Sequence, residues 1–279
     1  MIPQSEKKGL YLVSTPIGNL KDITLRALDI LKTSDIILCE DTRVSIKILR
    51  HFEINNQLIS YHKFNEKKKT EEIIKYLLDG KTISLISDAG TPSISDPGRV
   101  LINECINNDI NIIPIPGASS VLSSITVSGF SDRFFFHGFL SEKKKTFLEE
   151  LEHLSSLDSS IILFFSPNKF LKNINLIKKY FIDREILLCR EMTKLYEQFI
   201  RCKVEEIEKI NLPYRGELTV VISEKKITKE FKYLKESDKK LIKKMALKKS
   251  IKDINKILRD KKIPKKLIYD YYLKIKNER

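Results

Sequence analysis

Two carboxylates, a hydroxyl and an arginine close the segment CEDTR (39–43), and Tyr61, His62, Asn65 and Glu66 gather in YHKFNE (61–66). A carboxylate or imidazole within hydrogen-bond reach of a hydroxyl can take its proton, and Arg and Lys suit phosphate. A lone histidine is more often structural than catalytic, so His62 gains weight only from its polar neighbours. A third segment, SDAGTPSISDPG (87–98), packs two Gly, two Pro and two Asp into twelve positions. Asp88 can accept hydrogen bonds there, and Gly90 lets the backbone approach a ligand. Asp96, just before Pro97, reads as the cap of the helix that follows. In PIPGASS (114–120), Gly117, Ala118, Ser119 and Ser120 leave room at a helix start with free N–H donors. STPIGNLKDIT (14–24) joins a strand to a helix, with Gly18 permitting a tight turn.

These segments need elements that bring them to one place. LYLVST (10–15), IILCE (36–40), QLISYH (57–62), TISLIS (82–87) and INIIPIP (110–116) read as strands. Helical patterns separate them: DITLRALDILKTSD, RVSIKILRHF, EEIIKYLLDG capped by Thr70, and RVLINECINN. Such alternation predicts a mainly parallel sheet covered on both faces, with the polar segments together at the strand carboxyl ends. ASSVLSSITVSG (118–129) reads as a helix. FFFHGFL (134–140) opens a second unit: helix KKKTFLEELEHLSSL, strand SSIILFF, helix PNKFLKNINLIKKY started by Ser166–Pro167, then strands EILLCRE and ELTVVIS. DGKT (79–82) imitates a phosphate loop but lacks the upstream Gly and is followed by a strand, which excludes triphosphate chemistry of that type. There is no GxGxxG.

The chain has 279 residues and a net charge of +14. Residues 237–279 alone carry +11, leaving +3 for the rest. That segment reads as three short helices facing a polyanion. One stripe is Leu241, Ile242, Met245 and Ala246. Ser250 and Asp253 form a capping box, with Ile251, Ile254, Ile257 and Leu258 as the apolar face, and Pro264 starts the last helix. The plainer alternative is a solvated lysine-rich tail. Cys39, Cys105, Cys189 and Cys202 lie far apart and read as thiols in a reducing cytosol, binding no metal. No apolar run has membrane-spanning length, and the start, MIPQSEKKGLYLV, lacks a signal-peptide layout. The expectation is a cytoplasmic protein.

STPIGNL, EDTR, SDAGTPSISDPG, PIPGASS, FFFHGFL and CREMTKLYE resemble, in that order, the signature segments of the ribosomal RNA small subunit methyltransferase I family, in the tetrapyrrole methylase superfamily. The resemblance runs from about residue 9 to residue 224. Met192 replaces an expected Leu, a swap of similar volume. The family implies two α/β domains with the site in the cleft between them and a helix-turn-helix-like tail: residues 1–116, 117–226 and 227–279. It implies S-adenosyl-L-methionine, a homodimer, and methyl transfer to the ribose 2′-hydroxyl of a cytidine in the decoding region of 16S rRNA within the small ribosomal subunit. Carried over by motif, the cofactor contacts are Ile17, Asp88, Gly90, Thr91, Gly117, Ser119 and Ser120. For the proton acceptor the candidates are Asp41, His62 and Glu66, in that order, with an Asp41–Arg43 salt bridge as the alternative for Asp41. Arg43, Arg190 and Lys194 are the candidates for RNA phosphates. Two rivals stand beside this reading: a tetrapyrrole or diphthine methylase of the same superfamily, and a non-catalytic nucleic-acid-binding protein.

Overall fold

The computed structural model describes residues 7–225, 234, 236–247, 249–258 and 263–277. The chain forms two compact units, 1–225 and 226–279. The expected boundary at 226/227 and the first residues of the chain lie outside the described residues.

The first five strands are β1 (Leu10–Val13), β2 (Ile36–Cys39), β3 (Gln57–Ser60), β4 (Ile83–Leu85) and β5 (Ile112–Ile115). They form one parallel sheet in the order β3-β2-β4-β1-β5. The alternation of side chains splits each strand between two cores. Tyr11, Val13, Ile37 and Cys39 pack on one face, and Leu10, Ile36, Leu38, Ile83 and Leu85 on the other. That double burial is why LYLV and IILC are continuous apolar runs. Pro114 fits because β5 is an edge strand, where a missing N–H breaks no ladder.

The intervening helices are α1 (Leu25–Thr33), α2 (Thr42–His51), α3 (Glu66–Leu78) and α4 (Arg99–Asn107). Thr24 caps α1 and Asp41 caps α2 through their side-chain oxygens. Helix α3 begins earlier than its apolar stripe suggests. Thr70 lies inside it, donating to the Glu66 carbonyl at 2.7 Å and bonded to the Tyr61 hydroxyl at 3.0 Å. It braces the helix against β3 instead of starting it.

Helix α5 (Ser120–Ser128), capped by Ser119, leads to the second sheet. Its strands are β6 (Phe134–Phe139), β7 (Ser160–Phe165), β8 (Glu185–Arg190), β9 (Gln198–Lys203) and β10 (Leu218–Ile222), in the order β6-β7-β10-β8-β9. Only β6 and β7 are parallel. β9 was not expected: QFIRCK interleaves charge with apolar residues on an exposed edge, a weak strand signal. The long helix expected after Ser166–Pro167 is two pieces, α7 (Pro167–Lys172) and α8 (Ile174–Tyr180), broken at Asn173. These and α6 (Lys144–Ser156) cover one face of this sheet. Ile162, Leu187, Cys189 and Val221 on the other face pack with Ile17, Val121 and Met192. This small core joins the two sheets, and the loops of the first sheet meet the second along it.

In the second unit, α9 (Glu236–Ala246), α10 (Ile251–Ile257) and α11 (Lys265–Asn277) enclose Ile242, Ile254, Leu258, Ile268 and Tyr272. The Ser250–Asp253 capping box is formed. Ile257, expected on the apolar face, is exposed.

Candidate active site

Strand β1 lies between β4 and β5, so the loops after β4 and β5 flank the loop after β1 without being neighbours of each other. Hydrogen bonds knit the three together. Thr15 and Gly90 exchange both backbone bonds, at 2.9 and 3.0 Å. The Ser14 hydroxyl donates to Thr91 Oγ1 at 3.2 Å, which in turn donates to the Ala118 carbonyl at 3.1 Å. Gly117 packs behind this knot: a Cβ there would stand 2.8 Å from Ser14 Cβ. Gly90, at φ +79°, needs its freedom from a side chain both for its backbone and for the approach of Ile17.

Gly18 works differently from a turn glycine. A Cβ on it would fall 2.7 Å from Thr193 Oγ1 and 3.1 Å from the Met192 carbonyl, so its bareness seats the turn that follows β8. The Asn19 N–H donates to Thr193 Oγ1 at 3.0 Å, across the two sheets.

Between these loops and the second sheet lies a cavity of about 450 Å³. Its polar wall holds Asp88, Gly90, Thr91, Ser119 and Ser120, with Glu40 and Asp96. Its apolar wall holds Ile17, Val121, Phe164 and Met192. All the cofactor candidates line it except Gly117, whose part is the packing on Ser14. A second, open hollow is bounded by Arg43, Ser60, His62 and Phe64. Glu40 and Asp88 line both spaces.

Strain gathers around the cavity. Ser93, Ser95, Glu191 and Thr193 all have positive φ, a conformation that costs non-glycine residues energy and clusters at functional sites. Gly138, in a β-bulge of β6, receives Ser95 closely; a Cβ on it would lie 2.8 Å from Ser95 Oγ. This folding of the SISD segment turns Asp96 into the cavity. Helix α4 starts instead from Gly98 at φ 140°, with no side-chain cap. So Asp96 is a cavity carboxylate, not a cap. Burial, with Glu40 and Asp88 nearby, pushes its pKa up to about 6, against a Ser87 bond that pulls it down. Burial also raises Glu40 and Asp88 above the ordinary carboxylate range. Asp88 Oδ1 accepts from the Asp41 N–H at 3.1 Å.

The proton-acceptor candidates separate. Asp41 is tied to Arg43 by a 2.6 Å ion pair and accepts from the Arg43 N–H at 2.8 Å. Those bonds hold its carboxyl down to about 2, too little proton affinity for a base. His62 borders the open hollow, but its Nδ1 accepts from the Phe64 N–H at 3.3 Å. In the neutral ring the proton then sits on Nε2, which makes the imidazole a donor there. Glu66 starts α3 and lines neither space.

The phosphate candidates separate too. The Arg43 side chain is 88 % exposed. Lys194 is bound to Glu191 and Glu217 at 3.1 and 2.9 Å. Arg190 corrects the expectation, because it is buried and its guanidinium donates to the Arg215 carbonyl at 2.8 and 3.0 Å and to the Tyr196 carbonyl at 3.4 Å. Buried, bonded to these carbonyls and to Gln198 Oε1 at 3.4 Å, it braces backbone beside the cavity. Glu40 and Asp96 are the site residues that sequence reasoning passed over. Both stand inside the segments it singled out.

Residues 9–208 match the family model of tetrapyrrole (corrin/porphyrin) methylases. A protein of Mesomycoplasma conjunctivae called ribosomal RNA small subunit methyltransferase I is 47 % identical over 81 % of this chain and 96 % of its own. A Bacillus subtilis protein of the same name is 37 % identical over 94 % and 93 %. Among solved structures, a diphthine synthase matches with a TM-score of 0.62 at 16 % identity, over 77 % of this chain and 89 % of its own. A uroporphyrin-III C-methyltransferase of Thermus thermophilus, complexed with S-adenosylhomocysteine, matches at 0.55 and 14 %, over 77 % and 97 %. At such identities these structures speak for the fold alone. With the two sheets, the knotted loops and these relatives in hand, the chain belongs to the tetrapyrrole methylase family and, within it, to the ribosomal RNA small subunit methyltransferase I group.

Proposed function

We propose that this chain transfers the methyl group of S-adenosyl-L-methionine to the ribose 2′-hydroxyl of a cytidine in the decoding region of 16S rRNA. The observation that carries the reading is the 47 % identity to a ribosomal RNA small subunit methyltransferase I over nearly its whole length. The cavity fits the cofactor. Its volume lies within the range of small-molecule sites, roughly 300–1,000 Å³. Asp88 offers an acceptor for an amine or ribose hydroxyls, Ser119 and Ser120 stand at a helix start, and the apolar wall suits an adenine ring. When bound, S-adenosylmethionine supplies a methyl group on a sulfonium leaving group.

The protein's own part is alignment, exclusion of water and removal of one proton. Alignment of the ribose oxygen with the methyl can supply about 7–11 kcal/mol. Ile17, Val121 and Met192 keep the reacting end dry. The open hollow beside Glu40 and Asp88 takes the nucleotide, with Arg43 toward phosphate, and Lys194 lies at the turn seated by Gly18. The basic helical unit holds RNA by its phosphates. The active form is a homodimer in the cytoplasm, acting on RNA within the small subunit. Among the described residues no helix is long and apolar enough to cross a membrane.

Incubation of small ribosomal subunits with methyl-labelled S-adenosylmethionine tests the reading. Label in 16S rRNA on a ribose supports it. Label in a tetrapyrrole or a protein, or none in any acceptor, refutes it.

A further inference from the structure

The two spaces of the site have different characters and a common wall. The cavity is bounded by both sheets, as suits a small molecule held whole. The hollow is open and bordered by an exposed arginine, a histidine donor and Phe64, which is 95 % exposed. A phenyl ring in water beside a guanidinium is a place for an unstacked base and its phosphate. If each space holds its own reactant, the methyl group and the hydroxyl meet where the spaces join. Glu40 and Asp88 stand there.

Of those two, Asp88 is engaged, one oxygen accepting from the Asp41 N–H. Among the described residues no hydrogen bond or ion pair occupies the Glu40 carboxylate, although its backbone carbonyl accepts from Ser60 Oγ at 3.4 Å. The chain after β2 divides the labour. Glu40 lines both spaces, while Asp41, which borders only the hollow, pairs with Arg43 and caps α2. We propose that Glu40 accepts the proton of the ribose 2′-hydroxyl during methyl transfer.

This inference rests on the reading above. As the 2′-oxygen forms its bond to the methyl carbon, the carbon–sulfur bond breaks with its electron pair left on sulfur. The hydroxyl proton goes to a Glu40 oxygen and afterwards to water. The charged and titratable groups around Glu40 are Asp41 and Arg43 where its segment runs into α2, Asp88 and Asp96 from the loop after β4, and His62 just after β3. Burial, then Asp88 and Asp41, raise the proton affinity of its carboxylate, as a base requires, and His62 opposes them.

The test compares wild type with E40Q in single-turnover methylation of small subunits, with S-adenosylmethionine affinity measured by calorimetry on the same samples. The rate is expected to fall about 10²–10⁴-fold, the usual worth of a general base, with cofactor affinity within about threefold of wild type. The acid limb of the wild-type pH–rate profile is expected to be absent in the residual rate of E40Q. E40D, which withdraws the carboxylate by one methylene, is expected to retain that limb at an intermediate rate. A wild-type rate in E40Q overturns the proposal. So does a rate loss matched by an equal loss of cofactor affinity, which would make Glu40 a binding group. Should E40Q not fold, E40D decides, and a wild-type rate in it is contrary. Failure of wild type to label 16S rRNA removes the functional reading and this inference together; equal labelling by wild type and E40Q removes the inference alone.

Discussion

The Asp41 carboxylate and the Arg43 guanidinium, two residues apart at the start of α2, form an ion pair at 2.6 Å. The pair takes Asp41 out of contention as a base and presents Arg43 to the open hollow. Asp41→Asn is therefore expected to act on RNA binding more than on chemistry. Asn caps a helix about as well as Asp, so the fold should hold. Single-turnover rates at saturating RNA should drop less than tenfold, while half-saturation by RNA shifts upward because Arg43 loses its anchor. A rate collapse at saturating RNA would return Asp41 to the chemistry.

Asp96 makes stability depend on pH. Its folded pKa of about 6 lies above the ordinary aspartate value of 3.8, so between those values the folded chain holds more protons than the unfolded chain. Stability is then lost as pH rises from about 4 through about 6, and the penalty is complete above that. Asp96→Asn should remove it. Discounted for partial exposure, the gain at pH 7.5 is about 1 kcal/mol, or about 2–4 °C in melting temperature, and it should vanish near pH 4. Calorimetric melts at both pH values check this. An equal gain at pH 4 would mean that the effect is not the charge.

Much of this was legible in the sequence. The buried strands announced themselves as unbroken apolar runs, and Ser166 and the Ser250–Asp253 box are caps whose residue types suffice to place them. β9 was not legible, because an edge strand half in solvent carries charge on its outer positions. Asp96 looked like a cap because Asp-Pro-Gly precedes a helix. Its real direction depends on positive φ at Ser93 and Ser95 and on the bulge at Gly138, which no local pattern reveals. Glu40 and Asp41 stand side by side in CEDTR; only the path of the chain between β2 and α2 says which lines the cavity. Arg190 reads as a phosphate ligand until the carbonyls around it are seen.

Gly18→Ala tests the seat between the loop after β1 and the turn after β8. The new Cβ would meet the flexible Lys194 stem at 2.5 Å, but also the Met192 carbonyl, which is backbone, at 3.1 Å. The turn must move, and Met192 with it. We expect a destabilisation of about 1–3 kcal/mol and cofactor binding weakened about tenfold, read by thermal melts and calorimetry. Unchanged cofactor affinity would show that the turn does not shape the cavity.

Removal of residues 237–279 deletes +11 of the chain's net charge of +14. RNA binding should weaken at low salt, and the slope of log affinity against log salt should become shallower, since each lost phosphate contact removes about 0.7–0.9 from it. Cofactor affinity should stay within about threefold. Equal loss of RNA and cofactor binding would contradict a separate RNA-holding unit.

The central claim is the acceptor atom. Small ribosomal subunits are incubated with purified protein and methyl-labelled S-adenosylmethionine, and the 16S rRNA is digested and sequenced for modified nucleosides. The account predicts one label per subunit, on the ribose 2′-oxygen of a cytidine in the decoding region. Label on a base, on a ribosomal protein, or on no component of the subunit would contradict it.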